Sequence, residues 1–265
     1  MLIIGERING MYKDVGKAIR ERDKATIQNL AKKQVSCGAD MLDVNVGPAA
    51  KDAGQAMKWL VETIQEVVDV GLTLDSTKPA VIEEGLKIAK KKAMINSTTA
   101  DKEKLDILVP MAKKYKAKII GLTLGKSGVP RDRAQRSEYA AAILTACVES
   151  GLNMEDLYID PVVLPVNVAQ PQAIEALEAL REFHLLYNPP PKTVVGLSNI
   201  SQGTNKRSLI NRIFLIMAQA QGLNAAIVDP MDSELMDAMI TAELLLNKNI
   251  YCDSYIDAYK KKHTV

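Results

Sequence analysis

Eight short apolar runs in this 265-residue chain each stop at a polar cluster. In order the clusters are Glu6-Arg7-Ile8-Asn9, Asp43-Val44-Asn45, Asp75-Ser76-Thr77, Asn96-Ser97-Thr98, Thr123 to Lys126, Asp160-Pro161, Ser198-Asn199 and Asp229. Any one Asp or Asn there could be a turn-former or a helix cap. An Asp or Asn at seven of the eight run ends is more than turns alone require. A carboxylate accepts from two donors, and an amide offers both a donor and an acceptor. Together they can read the edge of a flat heteroaromatic ligand that carries an amino group, ring N–H groups and a carbonyl. A carboxylate ring could instead hold Mg²⁺ or Mn²⁺. Half the groups are amides and no two carboxylates are adjacent, so no bound metal is expected to be required.

The composition narrows the class. Hydrophobic residues make up 47% and charged residues 25%, the balance of a folded globular chain rather than a disordered one. Lys and Arg number 34 against 32 Asp and Glu, too even for a nucleic-acid footprint. No run approaches the roughly 18 apolar residues of a membrane helix, so no membrane association is expected. The opening MLIIGERING lacks the basic and apolar regions of a secretory leader. Cys37, Cys147 and Cys252 are scattered, and with only His184 and His263 there is no zinc-type spacing. A reducing, cytoplasmic setting follows.

Elements that bring the run ends together can be read from the pattern. The runs Leu2–Ile8, Met41–Val46, Leu72–Asp75, Ala93–Asn96, Lys118–Leu124, Leu157–Pro161, Thr193–Asn199 and Ala225–Asp229 show little alternation, as in strands covered on both faces. Helical patterns separate them. Met57, Leu60, Ile64 and Val67 make one helix face, and Leu235, Met239, Ala242 and Leu246 make another. Pro79 fits a first helical turn, Asp101 a cap, and Gln172 to Tyr187 a further helix. No Gly-x-Gly-x-x-Gly follows the first strand, which weakens an open dinucleotide-binding sheet. Eight even units without a compositional break predict a (β/α)8 TIM barrel, one domain over residues 1–265, with its site at the C-terminal strand ends.

Several features read as unrelated to chemistry. Gly121-x-x-x-Gly125-Lys126-Ser127 is one residue short of a phosphate loop. Lys126, past its strand end, reads as a solvated loop lysine rather than a Schiff-base lysine. His184 reads as a surface or half-buried histidine away from the site. The eleven methionines read as core filler.

The segments GERIN (5–9), LDVNVGP (42–48), LDST (74–77), INST (95–98), YIDP (158–161) and GLSNIS (196–201) together resemble the pterin-binding methyltransferases. The match is fullest to the methyltetrahydrofolate:corrinoid/iron–sulfur protein methyltransferases; the folate module of cobalamin-dependent methionine synthase is a more distant relative. The resemblance implies a homodimeric (β/α)8 barrel that moves a methyl group between methyltetrahydrofolate or tetrahydrofolate and a corrinoid (cobalamin) carried by a partner protein. It implies that Asp75, Asn96 and Asp160 hydrogen-bond the pterin edge; Asp75 and Asp160 themselves read as unmatched carboxylates at adjoining mouth positions, suited to the pterin donors. It places Asn199 beside pterin N5, and Gln202 and Arg207 near the folate and the approaching corrinoid. Asn199 and Asp160 are the expected catalytic residues.

N5 is a poor leaving group unless it is protonated or strongly hydrogen-bonded, so the implied enzyme must align the reactants and stabilise charge at N5. The proton is expected from solvent or a water network rather than from a dedicated acidic side chain. Three alternatives stay open: the reverse transfer from a methyl-corrinoid protein to tetrahydrofolate, a dihydropteroate synthase-like enzyme, and a non-catalytic pterin-binding protein. Against the synthase, its first-strand loop is replaced by GERIN, and Gly196-Leu197-Ser198-Asn199 stands where that enzyme carries a lysine.

Overall fold

The computed structural model describes residues 1–263 except Ala49 and Ser127, with side chains as far as Lys260. The strands are β1 (Leu2–Asn9), β2 (Met41–Asn45), β3 (Gly71–Asp75), β4 (Met94–Thr99), β5 (Lys118–Leu122), β6 (Leu157–Asp160), β7 (Lys192–Gly196) and β8 (Ala225–Val228). All neighbours pair in parallel, and β8 pairs β1, so the sheet closes into a barrel in chain order. The helices are α1 (Lys13–Glu21), α2 (Lys24–Ser36), α3 (Ala53–Gln65), α4 (Pro79–Leu86), α5 (Lys102–Tyr115), α6 (Arg133–Ser150), α7 (Val166–Ala169), α8 (Gln172–Phe183), α9 (Arg207–Ala220), α10 (Ser233–Leu245) and α11 (Tyr255–His263). The chain is the expected (β/α)8 TIM barrel, with helices beyond the one-per-strand alternation. Among the described residues no helix is long and apolar enough to cross a membrane.

Two faces of each strand explain why the runs looked uniformly apolar. Ile4, Met41, Met94, Ile120, Tyr158, Val194 and Ala225 point inward and fill the lower barrel. Their sequence neighbours Leu42, Ile95, Ile119 and Ile159 point outward into the sheet–helix layer, as do Ile3, Val195 and Ala226. At the N-terminal end, Lys118 and Lys192 lie 5.7 and 5.6 Å from the Tyr158 ring.

Helix signals hold where local chemistry decides them. Pro79 opens α4, and the Asp101 carboxylate accepts from Glu103 N at the start of α5. Met57, Leu60 and Ile64 are buried on α3, but Val67 lies past its end. Leu235, Met239 and Ala242 are buried on α10, whereas Leu246 is its partly exposed cap. The helix read as reaching Tyr187 stops at Phe183, where His184 turns its Nε2 to Gly222 O at 3.2 Å. This half-buried His184 lines no strand end.

Most strand ends at the mouth differ from the predicted ones by one or two residues, and two differ by three. β4 runs on to Thr99, past the predicted Asn96, through a register shift against β5 between Asn96 and Thr98. β7 stops at Gly196, and the predicted strand residues Leu197–Asn199 form a 3₁₀ turn instead. A second register shift lies in β1 between Gly5 and Ile8. Bulges of this kind re-aim side chains beside functional sites. Here the β1 bulge lets Glu6 line the mouth while Ile8 joins the outer core.

The β1 and β2 ends are locked by backbone on backbone. Gly10 N donates to Asn45 O at 2.8 Å, and a Cβ on Gly10 would sit 2.0 Å from Val46 O. That neighbour is main chain and cannot swing aside. Gly10→Ala should therefore destabilise the fold by about 2–3 kcal/mol, the upper range for overpacking. Chemical denaturation of the two proteins checks this, and an unchanged midpoint would refute the tight approach.

Candidate functional site

Register carries a polar layer on top of the apolar barrel filling. Two residues above Ile4 stands Glu6; two above Met41 stands Asp43; two above Met94 stands Asn96; two above Tyr158 stands Asp160. Asp75 ends β3. These five side chains line a cavity of about 410 Å³ whose floor includes Leu122 and Ile227. Asn199 lines it from the turn after β7. That turn buries Leu197 and Ile200 and leaves Ser198 and Asn199 at the mouth. Gly196 makes room for the amide, since a Cβ there would stand 3.1 Å from Asn199 Nδ2.

The polar layer is internally bonded. Asn45 Nδ2 donates to Asp75 Oδ2 at 2.6 Å, and Asn96 Nδ2 to Asp43 Oδ1 at 3.1 Å. Ser198 Oγ donates to Glu6 Oε1 at 2.7 Å, and Val162 N to Asp160 Oδ1 at 2.7 Å. Asp75 and Asp160 are therefore not unmatched. Nor do they adjoin, because β4 and β5 separate β3 from β6.

Burial raises every carboxyl of this wall above the usual range. Asp43 is held well above it by desolvation and by the nearby Asp75, with Asn96 pulling the other way. Asp75 is raised by desolvation, less so because Asn45 bonds its charged form. Glu6 is raised by desolvation and Asp229, against the Ser198 hydroxyl, Arg207 and Arg7. Asp160 is pushed up to about 6 by desolvation, against the N–H groups of Val162 and Gly196 and the Arg136 charge. The wall thus combines acids whose charged form is disfavoured by burial with oriented amides. Among the described residues no group of three or more His, Cys, Asp or Glu is placed to share a metal ion.

Of the residues singled out in the sequence, Asp75, Asn96, Asp160 and Asn199 come together on this cavity. Arg207 lines a neighbouring cavity of about 510 Å³ that shares Glu6 and Ser198 with the first. Its guanidinium holds Ser201 Oγ at 3.2 Å and Ser198 O at 3.3 Å. Gln202 is exposed on the turn beyond Asn199 and is absent from both linings. Glu6 and Asp43 were seen as run-end residues but given no role. Counting by twos from Ile4 and Met41 points to Glu6 and Asp43, whereas the turn of Ile8 to the outer core, through the β1 bulge, is invisible in sequence. Lys126 is solvated and paired with Glu103 at 3.0 Å, while Ser127 of the same motif falls outside the described residues.

The chain is similar to several known proteins. The methylcorrinoid:tetrahydrofolate methyltransferase of Eubacterium limosum is 28% identical over 266 residues, covering 98% of this chain and 97% of that protein. Methionine synthase of Mycobacterium tuberculosis is 29% identical over 241 residues, covering 86% of this chain but 20% of that much longer protein. Among solved structures, a dihydropteroate synthase from Coxiella burnetii in complex with pteroic acid superposes with a TM-score of 0.72 at 15% identity over 94% of each chain. The Yersinia pestis dihydropteroate synthase with a sulfonamide drug gives 0.68 at 16%, again over 94% of each. At such identities the structural likeness establishes the fold alone. The pterin binding enzyme family matches residues 6–229, from the Glu6 of the first strand to the Asp229 that follows the last, and the chain belongs to that family.

Proposed function

We propose that this protein transfers the N5-methyl group between methyltetrahydrofolate and a corrinoid carried by a partner protein. The observation that carries the reading is the pairing of a buried carboxylate–amide wall with a separate, exposed amide, Asn199, at the rim of the same cavity. Asp75, Asn96 and Asp160 accept from and donate to the pterin edge and fix its orientation. Asn199 hydrogen-bonds N5 more strongly as charge develops there. The corrinoid supplies a Co(I) nucleophile. The open mouth admits it, and Arg207 lines the cavity on the approach. Protons reach N5 through solvent at the mouth. No bound metal is required of this chain.

The relative of nearly equal length is named for transfer from methylcorrinoid to tetrahydrofolate. That favours the reverse direction as the second reading for this chain, and the same residues serve both directions.

A second copy of the chain completes the assembly. On α9, Phe214, Leu215 and Ala218 face the barrel, while Leu209, Ile213 and Met217 are about half exposed at spacings of four. With Ile174 of α8 they line an apolar groove of about 650 Å³, the kind of surface that marks a protein contact. We assign it to a homodimer.

The deciding assay is methyl transfer from methyltetrahydrofolate to free cob(I)alamin, followed by the corrinoid absorbance change; no transfer by a folate-binding protein would leave only a pterin binder. In that assay Asn199→Ala should slow single-turnover transfer at saturating folate by about 10²–10³-fold, more than it weakens binding. A wild-type rate at saturation would reduce Asn199 to a binding residue. Asp160 must be ionised to accept a pterin donor as a charge, so tetrahydrofolate affinity should fall as pH drops through about 6, approaching about tenfold per pH unit below it. Asp160→Asn should bind weakly with no such step, which calorimetric titrations at several pH values would detect. Ile213→Asp with Met217→Asp should halve the mass measured by light scattering; an unchanged mass would place the dimer contact elsewhere.

A further inference from the structure

Arg136 is a fully buried arginine outside the site described above. It sits in the first turn of α6, beneath the loop that follows β6, with none of its side chain exposed. Burying a guanidinium is costly unless its charge and its donors are used. Among the described residues no carboxylate lies within ion-pair distance of it. Its donors go to main chain instead: Nε to Pro161 O at 2.7 Å and Nη2 to Val162 O at 3.4 Å, while Nη1 is buried without a partner.

The two carbonyls it holds belong to an unusual turn. Val162 adopts φ +62°, a left-handed conformation that a β-branched residue rarely accepts. In that conformation the Val162 N–H points back to Asp160 Oδ1 at 2.7 Å. A released Val162 would return to extended backbone and take the donor away. The guanidinium grip on both carbonyls resists that return. Charged groups near this turn come from three elements: Asp160 ends β6, Arg136 and the capping Asp132 belong to α6, and Glu175 belongs to α8. Asp132 caps α6 through Gln135 N, and Glu175 accepts from Arg133 N, so both carboxylates are otherwise engaged.

We infer that Arg136 is a positioning residue for the pterin-reading carboxylate: by clamping Pro161 and Val162 it aims the Val162 N–H at Asp160, holding that side chain oriented and charged at the cavity wall. The ligand part of this inference rests on the folate reading given above; the link from Arg136 to Asp160 does not. The buried positive charge also opposes the desolvation that raises the Asp160 carboxyl.

The test uses the full chain. The Asp160 carboxyl, assigned by its disappearance in Asp160→Asn, is titrated by carbon-13 NMR in wild type, Arg136→Gln and Arg136→Lys, and tetrahydrofolate is titrated calorimetrically into each. In Arg136→Gln the Asp160 midpoint should rise by roughly half a pH unit or more, and the tetrahydrofolate Kd at neutral pH by about tenfold. Arg136→Lys keeps the charge but cannot reach both carbonyls, so its midpoint should stay close to wild type while Kd rises about threefold. A wild-type midpoint together with wild-type affinity in Arg136→Gln, whatever its melting temperature, overturns the role and leaves an ordinary buried arginine. Should Arg136→Gln fail to fold, wild-type affinity in Arg136→Lys overturns it equally. A midpoint that moves in a protein that never binds tetrahydrofolate, wild type included, sinks the folate reading and supports the link from Arg136 to Asp160.

Discussion

Closing eight parallel strands on themselves sends every second side chain into a space with no solvent below it, and the site follows from how that space is filled. The lower layer is apolar and packed by Ile4, Met41, Met94, Ile120, Tyr158, Val194 and Ala225. One pleat higher the same strands carry Glu6, Asp43, Asn96 and Asp160. A carboxyl on a half-buried wall above an apolar plug loses most of its hydration. Glu6, Asp43, Asp75 and Asp160 are all raised, with desolvation as the largest cause in each. The barrel thereby raises the cost of ionising otherwise ordinary acidic residues.

Such a wall stands only if its charges are partnered. The chain supplies amides and main-chain donors rather than cations: Asn45 for Asp75, Asn96 for Asp43, Val162 N–H for Asp160. Neutral donors stabilise the charged form of the carboxyls without adding a cation to the wall. One cation, Lys104, lines the same cavity, and the arginines are held further off. Arg207 and Arg7 lie in the adjoining cavity, and Arg136 lies behind the β6 loop. This distribution suits a ligand whose edge presents several N–H groups.

Dihydropteroate synthases share the barrel at 15% and 16% identity, so the scaffold by itself does not select the reaction. In this chain the segment after β7 is a short turn that buries Leu197 and Ile200, leaving a neutral amide at the cavity rim where a lysine would bring a fixed charge.

The sequence by itself determined the architecture, because eight apolar runs separated by amphipathic stretches leave few ways to pair parallel strands. It also determined the polar ring, since Asp75, Asn96, Asp160 and Asn199 each follow an apolar run in the chain and end on one cavity. Local chemistry sufficed for Pro79 and Asp101, whose effects reach only one helical turn. Tertiary structure decided the rest. The bulges in β1 and β4, set by pairing with neighbouring strands, determine which of Glu6, Arg7 and Ile8 faces inward and where Thr99 points. Closure order placed two strands between Asp75 and Asp160, though both stand in the sequence as equivalent run ends. The role of Asp43, the placement of Gln202 outside both cavities and the grip of Arg136 on Pro161 and Val162 depend on contacts between residues far apart in the chain. Only the folded geometry brings those residues together, and only burial gives their charges the energies that matter for binding.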